Sequence, residues 1–196
     1  MSRGDAGVGA VNRANALTIV RILLIPVFVV FVFSNIRYGA ALAIAVFAGA
    51  AVTDGLDGYI ARSRNQVTTI GKILDPVADK MLISAALISL VGLDRLPAWV
   101  AMVIIGREFA VSALRVVAVD QGVVIPASAL GKAKTISQIV AIIILLWPHG
   151  DLWYGPLVED TAIYVAVVLT LLSGIQYVLR SRDLIHAPAQ PEEPRP

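Results

Sequence analysis

Four aspartates separated by three, eighteen and four positions dominate the chemistry that this 196-residue sequence can offer. They fall in the segment DGLDGYIARSRNQVTTIGKILDPVAD, which begins at Asp54, ends at Asp79 and contains Asp57 and Asp75. Residues three or four apart share one helix face, so Asp54 pairs with Asp57 and Asp75 with Asp79. On two antiparallel helices, Asp54 and Asp79 would each lie roughly 10 Å inside a helix end, and all four carboxylates would reach similar depths. Two carboxylates about 4 Å apart repel by about 4 kcal/mol at an effective dielectric of about 20, so four in one pocket require cations or protons. An all-oxygen donor set selects hard ions such as magnesium, manganese or calcium, and several carboxylates can share two of them. Two ions about 3.5–4 Å apart would clamp a phosphate and lower the charge barrier to attack on it.

Neighbouring residues fit that chemistry and also have simpler readings. Gly55 serves equally well as a small residue for close helix packing, whereas Gly58 and Gly71 suit the approach of a bulky ligand to the backbone. Arg62 can anchor a helix at the membrane surface, but its place beside the cluster favours a phosphate contact. Asp75, followed by Pro76, can cap a helix that starts with proline, and one carboxylate oxygen would remain for metal.

The elements that must position these groups are membrane helices. The chain is 58% hydrophobic and 15% charged, with mean hydropathy +0.80, too apolar for a soluble domain of its length. A bilayer core about 30 Å thick takes about 20 residues per helix, which leaves room for about six spans and no separate soluble domain. Apolar stretches run at 16–34, 38–61, 72–93, 97–119, 130–148 and 161–180. The fifth has the weakest signal, because Lys132, Lys134, Ser137 and Gln138 interrupt its first half. A secretory signal is the alternative for the first, but that stretch is long for one and more spans of the same kind follow. Residues 1–14 form a polar segment and 187–196 a tail with four prolines; both are expected to lack stable structure. The six-helix domain covers 15–186. Absence of cysteine excludes disulfides and thiolate ligands, and nothing in the pattern points to nucleic acid.

Charge sets the orientation. Ten Lys and Arg residues fall on one side of a six-span topology and only Arg37 and Arg95 on the other, which predicts cytoplasmic N- and C-termini. Tyr38, Trp99, Trp147, Trp153 and Tyr154 gather at the opposite interface, as an aromatic belt should. Arg21, Lys80, Arg107, Arg115, Glu108 and the four aspartates lie inside spans. An ionisable group there costs about 2.5–3.5 kcal/mol at the bilayer centre, which argues for a polar cavity open to the cytoplasm rather than packing.

The spacing D-x2-D-G-x2-A-R-x8-G-x3-D-x3-D, here Asp54, Asp57, Gly58, Ala61, Arg62, Gly71, Asp75 and Asp79, resembles the motif of the CDP-alcohol phosphotransferase family. The resemblance implies an all-α fold of six transmembrane helices, usually a homodimer. It also implies that Asp54, Asp57, Asp75 and Asp79 bind two magnesium or manganese ions, that Asp57, Gly58, Ala61, Arg62 and Gly71 help hold the CDP moiety, and that Asp79 is the general base. NALTIVR at 15–21, DPVADKMLISAALISL at 75–90, IIGREFAVSALR at 104–115 and GKAKTISQ at 131–138 resemble the bacterial phosphatidylglycerol-phosphate synthase branch, from about Asn15 to Arg180. That branch implies CDP-diacylglycerol as donor, sn-glycerol 3-phosphate as acceptor, and a bacterial inner (cytoplasmic) membrane with the active site facing the cytoplasm. Branches taking inositol phosphate, serine or phosphatidylglycerol share the core motif.

A dianionic acceptor needs a positive pocket. Arg107 and Arg115 on the fourth helix, with Lys132 and Lys134 at the start of the fifth, are its expected components. The two lysines could instead be cytoplasmic anchors, and the two arginines partners of Glu108 or Asp120. Thr18 and Arg21 can approach a donor phosphate from the first helix, Lys80 projects away from Asp79, and His149 and His186 read as incidental. Prenyl transferases of membranes also use aspartate-rich helices, yet this chain has no second acidic motif. An ion carrier would explain buried charge but not Gly-x-x-Ala-Arg between the acidic pairs.

Overall fold

Long runs of Ala, Val, Ile and Leu, broken by short polar links, form helices in the computed structural model of the chain. It describes residues 6–64, 69–121, 125–126, 128–148 and 155–185, with side chains described for 19–53, 77–78, 80–119 and 121 and, beyond that, 125–126, 128–148 and 155–182. Among the described residues there are six helices and no strand: α1 Ala6–Phe33, α2 Gly39–Arg64, α3 Thr69–Gly92, α4 Ala98–Asp120, α5 Ala129–Leu146 and α6 Pro156–Ile185.

The apolar stretches locate every helix, and the differences lie at the ends. α1 starts at Ala6, inside the segment expected to lack structure, because its polar first turns contain enough alanine and valine to continue the helix. α3 starts at Thr69, so Gly71 lies within it rather than before it, and Asp75 lies in its second turn rather than at an N-cap. α5 is regular despite its polar first half. Ser128 caps it, with Oγ accepting from the Gly131 amide at 3.1 Å, and Lys134 and Gln138 are buried. The proline-rich tail, His149, His186, Trp153 and Tyr154 lie outside the described residues.

Contacts at the helix ends give the topology. The Phe33 ring lies against Gly92, at 3.2 Å from the position a Cβ would take there. Arg95 donates from Nη1 to the Trp147 carbonyl at 2.9 Å and from Nη2 to Glu159 Oε1 at 3.2 Å. The ends of α1, α3 and α5 therefore meet the start of α6 around the Arg95 turn that opens α4. Between α1 and α2 the turn is tight enough to need glycine at 39, where a Cβ would stand 2.6 Å from Ser34 Oγ. Since α2 also starts beside the end of α1, consecutive helices alternate in direction. α3 packs against α1, α2, α4 and α5, and α6 closes against α4 and α5.

The core between them is apolar: Phe28 and Phe47 meet at 5.8 Å between ring centroids, with Leu82, Leu90, Val100, Ile104, Ile142 and Leu145 packed around them. The outer surface is apolar as well, with Leu157 80%, Val116 70% and Met102 70% exposed, while Arg21, Lys134, Gln138, Thr170 and Ser173 are buried. In water such a surface would exceed by far the apolar patches that soluble monomers tolerate; a hydrocarbon solvent removes the penalty. Among the described residues, two helices are long and apolar enough to cross a membrane, over Ala129–Leu146 and Pro156–Arg182, and shorter apolar lengths run over Ile19–Phe33, Gly39–Thr53 and Lys80–Gly92.

Candidate active site

The aspartate segment occupies two helices that touch. Asp54 and Asp57 stand on α2 and Asp75 and Asp79 on α3, and the four residues between the helices, 65–68, are too few for the chain to travel back along a helix length. The pair is thus antiparallel. Asp54 lies ten residues before the end of α2, and Asp79 ten residues after the start of α3. The side chains of all four aspartates, and those of Thr18, Ala61 and Arg62, lie outside the described residues, as do the surroundings of Gly58 and Gly71. Among the described side chains there is no group of three or more His, Asp or Glu that could hold a metal. The four carboxylates that the sequence offers as metal donors belong to α2 and α3, and their hard oxygens suit magnesium or manganese.

A second polar group lies on α4, α5 and α6. Counted from the end of the bundle around Arg95, Asp54 is fifteen residues from Gly39, Asp79 thirteen from Gly92, Glu108 ten from Ala98 and Lys134 twelve from Leu146. At 1.5 Å per residue their backbones stand about 15–23 Å from that end, at a common depth. Glu108 Oε1 accepts from Lys134 Nζ of α5 and from Arg107 Nη1 at 3.2 Å. Arg107 Nη2 donates to Ser173 Oγ of α6 at 2.8 Å, and Ser173 in turn donates to the Thr170 carbonyl. One turn along α5 from Lys134, Gln138 Nε2 donates to Thr170 Oγ1 at 2.8 Å. Lys80, next to Asp79 on α3, adds to the positive field at Glu108.

The four cations expected to form a positive pocket have different surroundings. Arg107 and Lys134 converge on Glu108, with side chains 13% and 8% exposed. Arg115 is exposed two turns further along α4, its guanidinium 5.7 Å from the Tyr177 ring of α6. Lys132 is exposed at the first turn of α5. Gly174 makes room for Arg107, because a Cβ there would stand 3.3 Å from its Cγ and Nε.

The sequence offers Glu108 as a partner for Arg107 and Arg115 but gives no role to Gln138, Thr170, Ser173, Gly174 or Tyr177. These four residues of α6 recur at spacings of three and four in a helix otherwise rich in Val and Leu. That spacing is the signal of a polar stripe on a membrane helix.

The model of the family described as CDP-alcohol phosphatidyltransferase matches residues 11–172. A Bacillus subtilis protein named CDP-diacylglycerol–glycerol-3-phosphate 3-phosphatidyltransferase is 44% identical over 188 residues, covering 89% of this chain and 97% of its own. A Mycobacterium tuberculosis protein named probable phosphatidylglycerophosphate synthase is 42% identical over 178 residues, covering 88% of this chain and 83% of its own. A Rickettsia felis protein with the same name as the Bacillus one is 38% identical over 168 residues, covering 85% and 93%.

Proposed function

The chain belongs to the CDP-alcohol phosphatidyltransferase family, and we infer that it transfers the phosphatidyl group of CDP-diacylglycerol to sn-glycerol 3-phosphate, releasing phosphatidylglycerol phosphate and CMP. The observation that carries this reading is the 44% identity over 89% of the chain to a relative named for that reaction. The aspartates on α2 and α3 and the cations of α4 and α5, at one depth in the bundle, supply the polar groups that such a reaction needs.

The protein is a six-span enzyme of a bacterial cytoplasmic membrane, with both termini and the active site facing the cytoplasm, and it works as a homodimer. The Arg95 end is outermost, where Tyr38, Trp99 and Trp147 are exposed. Thr18 of α1, Asp57, Gly58, Ala61 and Arg62 of α2 and Gly71 of α3 hold the CDP part of the donor. Arg107, Arg115, Lys132 and Lys134 receive the acceptor phosphate.

The reaction is a single in-line displacement at the phosphorus that carries diacylglycerol. Asp79 takes the proton of the acceptor's C1 hydroxyl as its oxygen attacks. The bond from that phosphorus to the oxygen bridging the two phosphates breaks, and CMP departs with the bridging oxygen. Asp54, Asp57, Asp75 and Asp79 would hold two magnesium or manganese ions, which when bound offset the charge of the carboxylates and of the diphosphate.

The test is purified protein given CDP-diacylglycerol with glycerol 3-phosphate, inositol phosphate, serine or phosphatidylglycerol, with and without chelator, and products identified by mass spectrometry. Phosphatidylglycerol phosphate and equimolar CMP from glycerol 3-phosphate alone, lost on chelation and restored by magnesium or manganese, is the expected result. Product from another acceptor alone would overturn the acceptor while leaving the family chemistry, and full activity in chelator would overturn the role of the aspartates.

A further inference from the structure

We propose that Glu108 is a positioning residue for the acceptor phosphate: it holds the Lys134 ammonium and the Arg107 guanidinium together as one preformed clamp. The proposal rests on the reading of Arg107 and Lys134 as acceptor-phosphate ligands. Nothing in the assignment of the aspartates or of the four cations gives Glu108 a role.

One carboxylate oxygen, Oε1, accepts from both cations, which come from different helices. Two like charges do not stay adjacent in a membrane interior without an anion between them. Glu108 supplies that anion. It also leaves donors to spare on the guanidinium, which has five, of which Glu108 takes one. Ser173 takes one more from Arg107, while the buried Arg107 Nε has no partner among the described residues.

The guanidinium has little freedom to move away. Ser173 fixes its far side, and the backbone of α6 at Gly174 lies against its stem. Lys134 stands one turn along α5 from the Gln138–Thr170 hydrogen bond of the α5–α6 seam. The result is a pair of cations ordered before any ligand arrives, so the ordering entropy is not charged to binding. On α3, Lys80 stands in electrostatic range of the same carboxylate and immediately follows Asp79, the proposed base.

A purely structural ion pair would affect donor and acceptor alike. A positioning role affects the acceptor. Steady-state kinetics on the purified full-length protein would compare Glu108→Gln, Glu108→Asp, Lys134→Gln and Ser173→Ala, with inorganic phosphate as a competitive probe of the anion site. Loss of a charged hydrogen-bond partner predicts a rise of about tenfold or more in the KM for glycerol 3-phosphate in Glu108→Gln, a parallel rise in the inhibition constant of phosphate, and a KM for CDP-diacylglycerol within about twofold of the parent. Glu108→Asp should recover part of the loss. Ser173→Ala, which frees one side of Arg107 without leaving a charge unpaired, should raise the acceptor KM about threefold, and this variant decides the matter if Glu108→Gln does not fold. Acceptor KM values unchanged in both Glu108→Gln and Ser173→Ala, or donor and acceptor values rising together, would overturn the proposal. If Lys134→Gln also left the acceptor KM unchanged, the reading of the acceptor site would fall with it; a rise in Lys134→Gln alone would overturn only the role of Glu108.

Discussion

In the proposed mechanism a single proton decides the chemistry at Asp79, and a single backbone angle decides the turn at Asp94. Asp79→Asn keeps the size of the side chain and its capacity to accept a hydrogen bond but removes the base. Turnover is expected to fall by about a hundredfold to ten-thousandfold, while CDP-diacylglycerol binding, followed by equilibrium titration, changes far less. A variant with near-parent turnover would remove Asp79 from the role of base. Asp94 is a different kind of residue. Its φ is 55°, the left-handed conformation that ends α3: the Arg95 amide donates to the Leu90 carbonyl at 2.9 Å, and the Asp94 amide to the Val91 carbonyl at 3.0 Å. This double closure is the usual site of glycine, which adopts it without a Cβ penalty. Asp94→Gly should therefore stabilise the protein by roughly 0.5–1 kcal/mol, after the added freedom of the unfolded chain is subtracted. The check is a rise of about 1–4 °C in the thermal midpoint of detergent-purified protein, and a fall would show that the carboxylate makes a stabilising contact there.

At the scale of the element, the apolar run is what the sequence states most clearly, and it locates the middle of each helix better than its ends. α3 continues back through Lys72 and Gly71 to Thr69, past the point where hydropathy drops, because backbone hydrogen bonds do not depend on side-chain polarity. Gly71 and Asp75 were consequently expected a turn too early in their helix. The aspartate pairs themselves were legible, since a spacing of three or four survives any shift of the boundary. The seam between α5 and α6 was not. Gln138 and Thr170 are each one polar residue in an apolar helix, and only the packing of two helices shows that they meet. Thr170→Val keeps the shape of the side chain and strands the buried Gln138 amide. We expect a loss of about 1 kcal/mol, within the range found for hydrogen bonds between membrane helices, measured by unfolding in mixed micelles. Turnover at temperatures well below the midpoint should be little changed, because Thr170 is a turn away from the Arg107 contact. No loss of stability would mean that Gln138 finds another partner at no cost.

The whole molecule is apolar on its outside, ionic at one depth inside, and different at its two ends. Around Arg95 the chain is tied shut, with one guanidinium joining the turn before α4 to the end of α5 and the start of α6. Toward the other end the helices carry Asp54, Asp79, Glu108 and Lys134. A water-soluble acceptor and a departing nucleotide need an aqueous opening, and a bundle closed at one end can offer it at the other. In the proposed topology the excess of Lys and Arg at that end turns it toward the cytoplasm. Because the sequence contains no cysteine, single cysteines can report the orientation without a background. Asn35 and Gln121 suit the purpose: both are exposed, Asn35 in the turn between α1 and α2 at the Arg95 end, Gln121 beyond the end of α4 at the other. In intact cells, or in bacteria made permeable only at the outer membrane, a charged maleimide should label Asn35→Cys readily and Gln121→Cys only after the cytoplasmic membrane is opened. The reverse pattern would invert the topology and put the acceptor site on the face away from the cytoplasm; equal labelling of both would mean that this bundle does not separate two compartments as six alternating spans must.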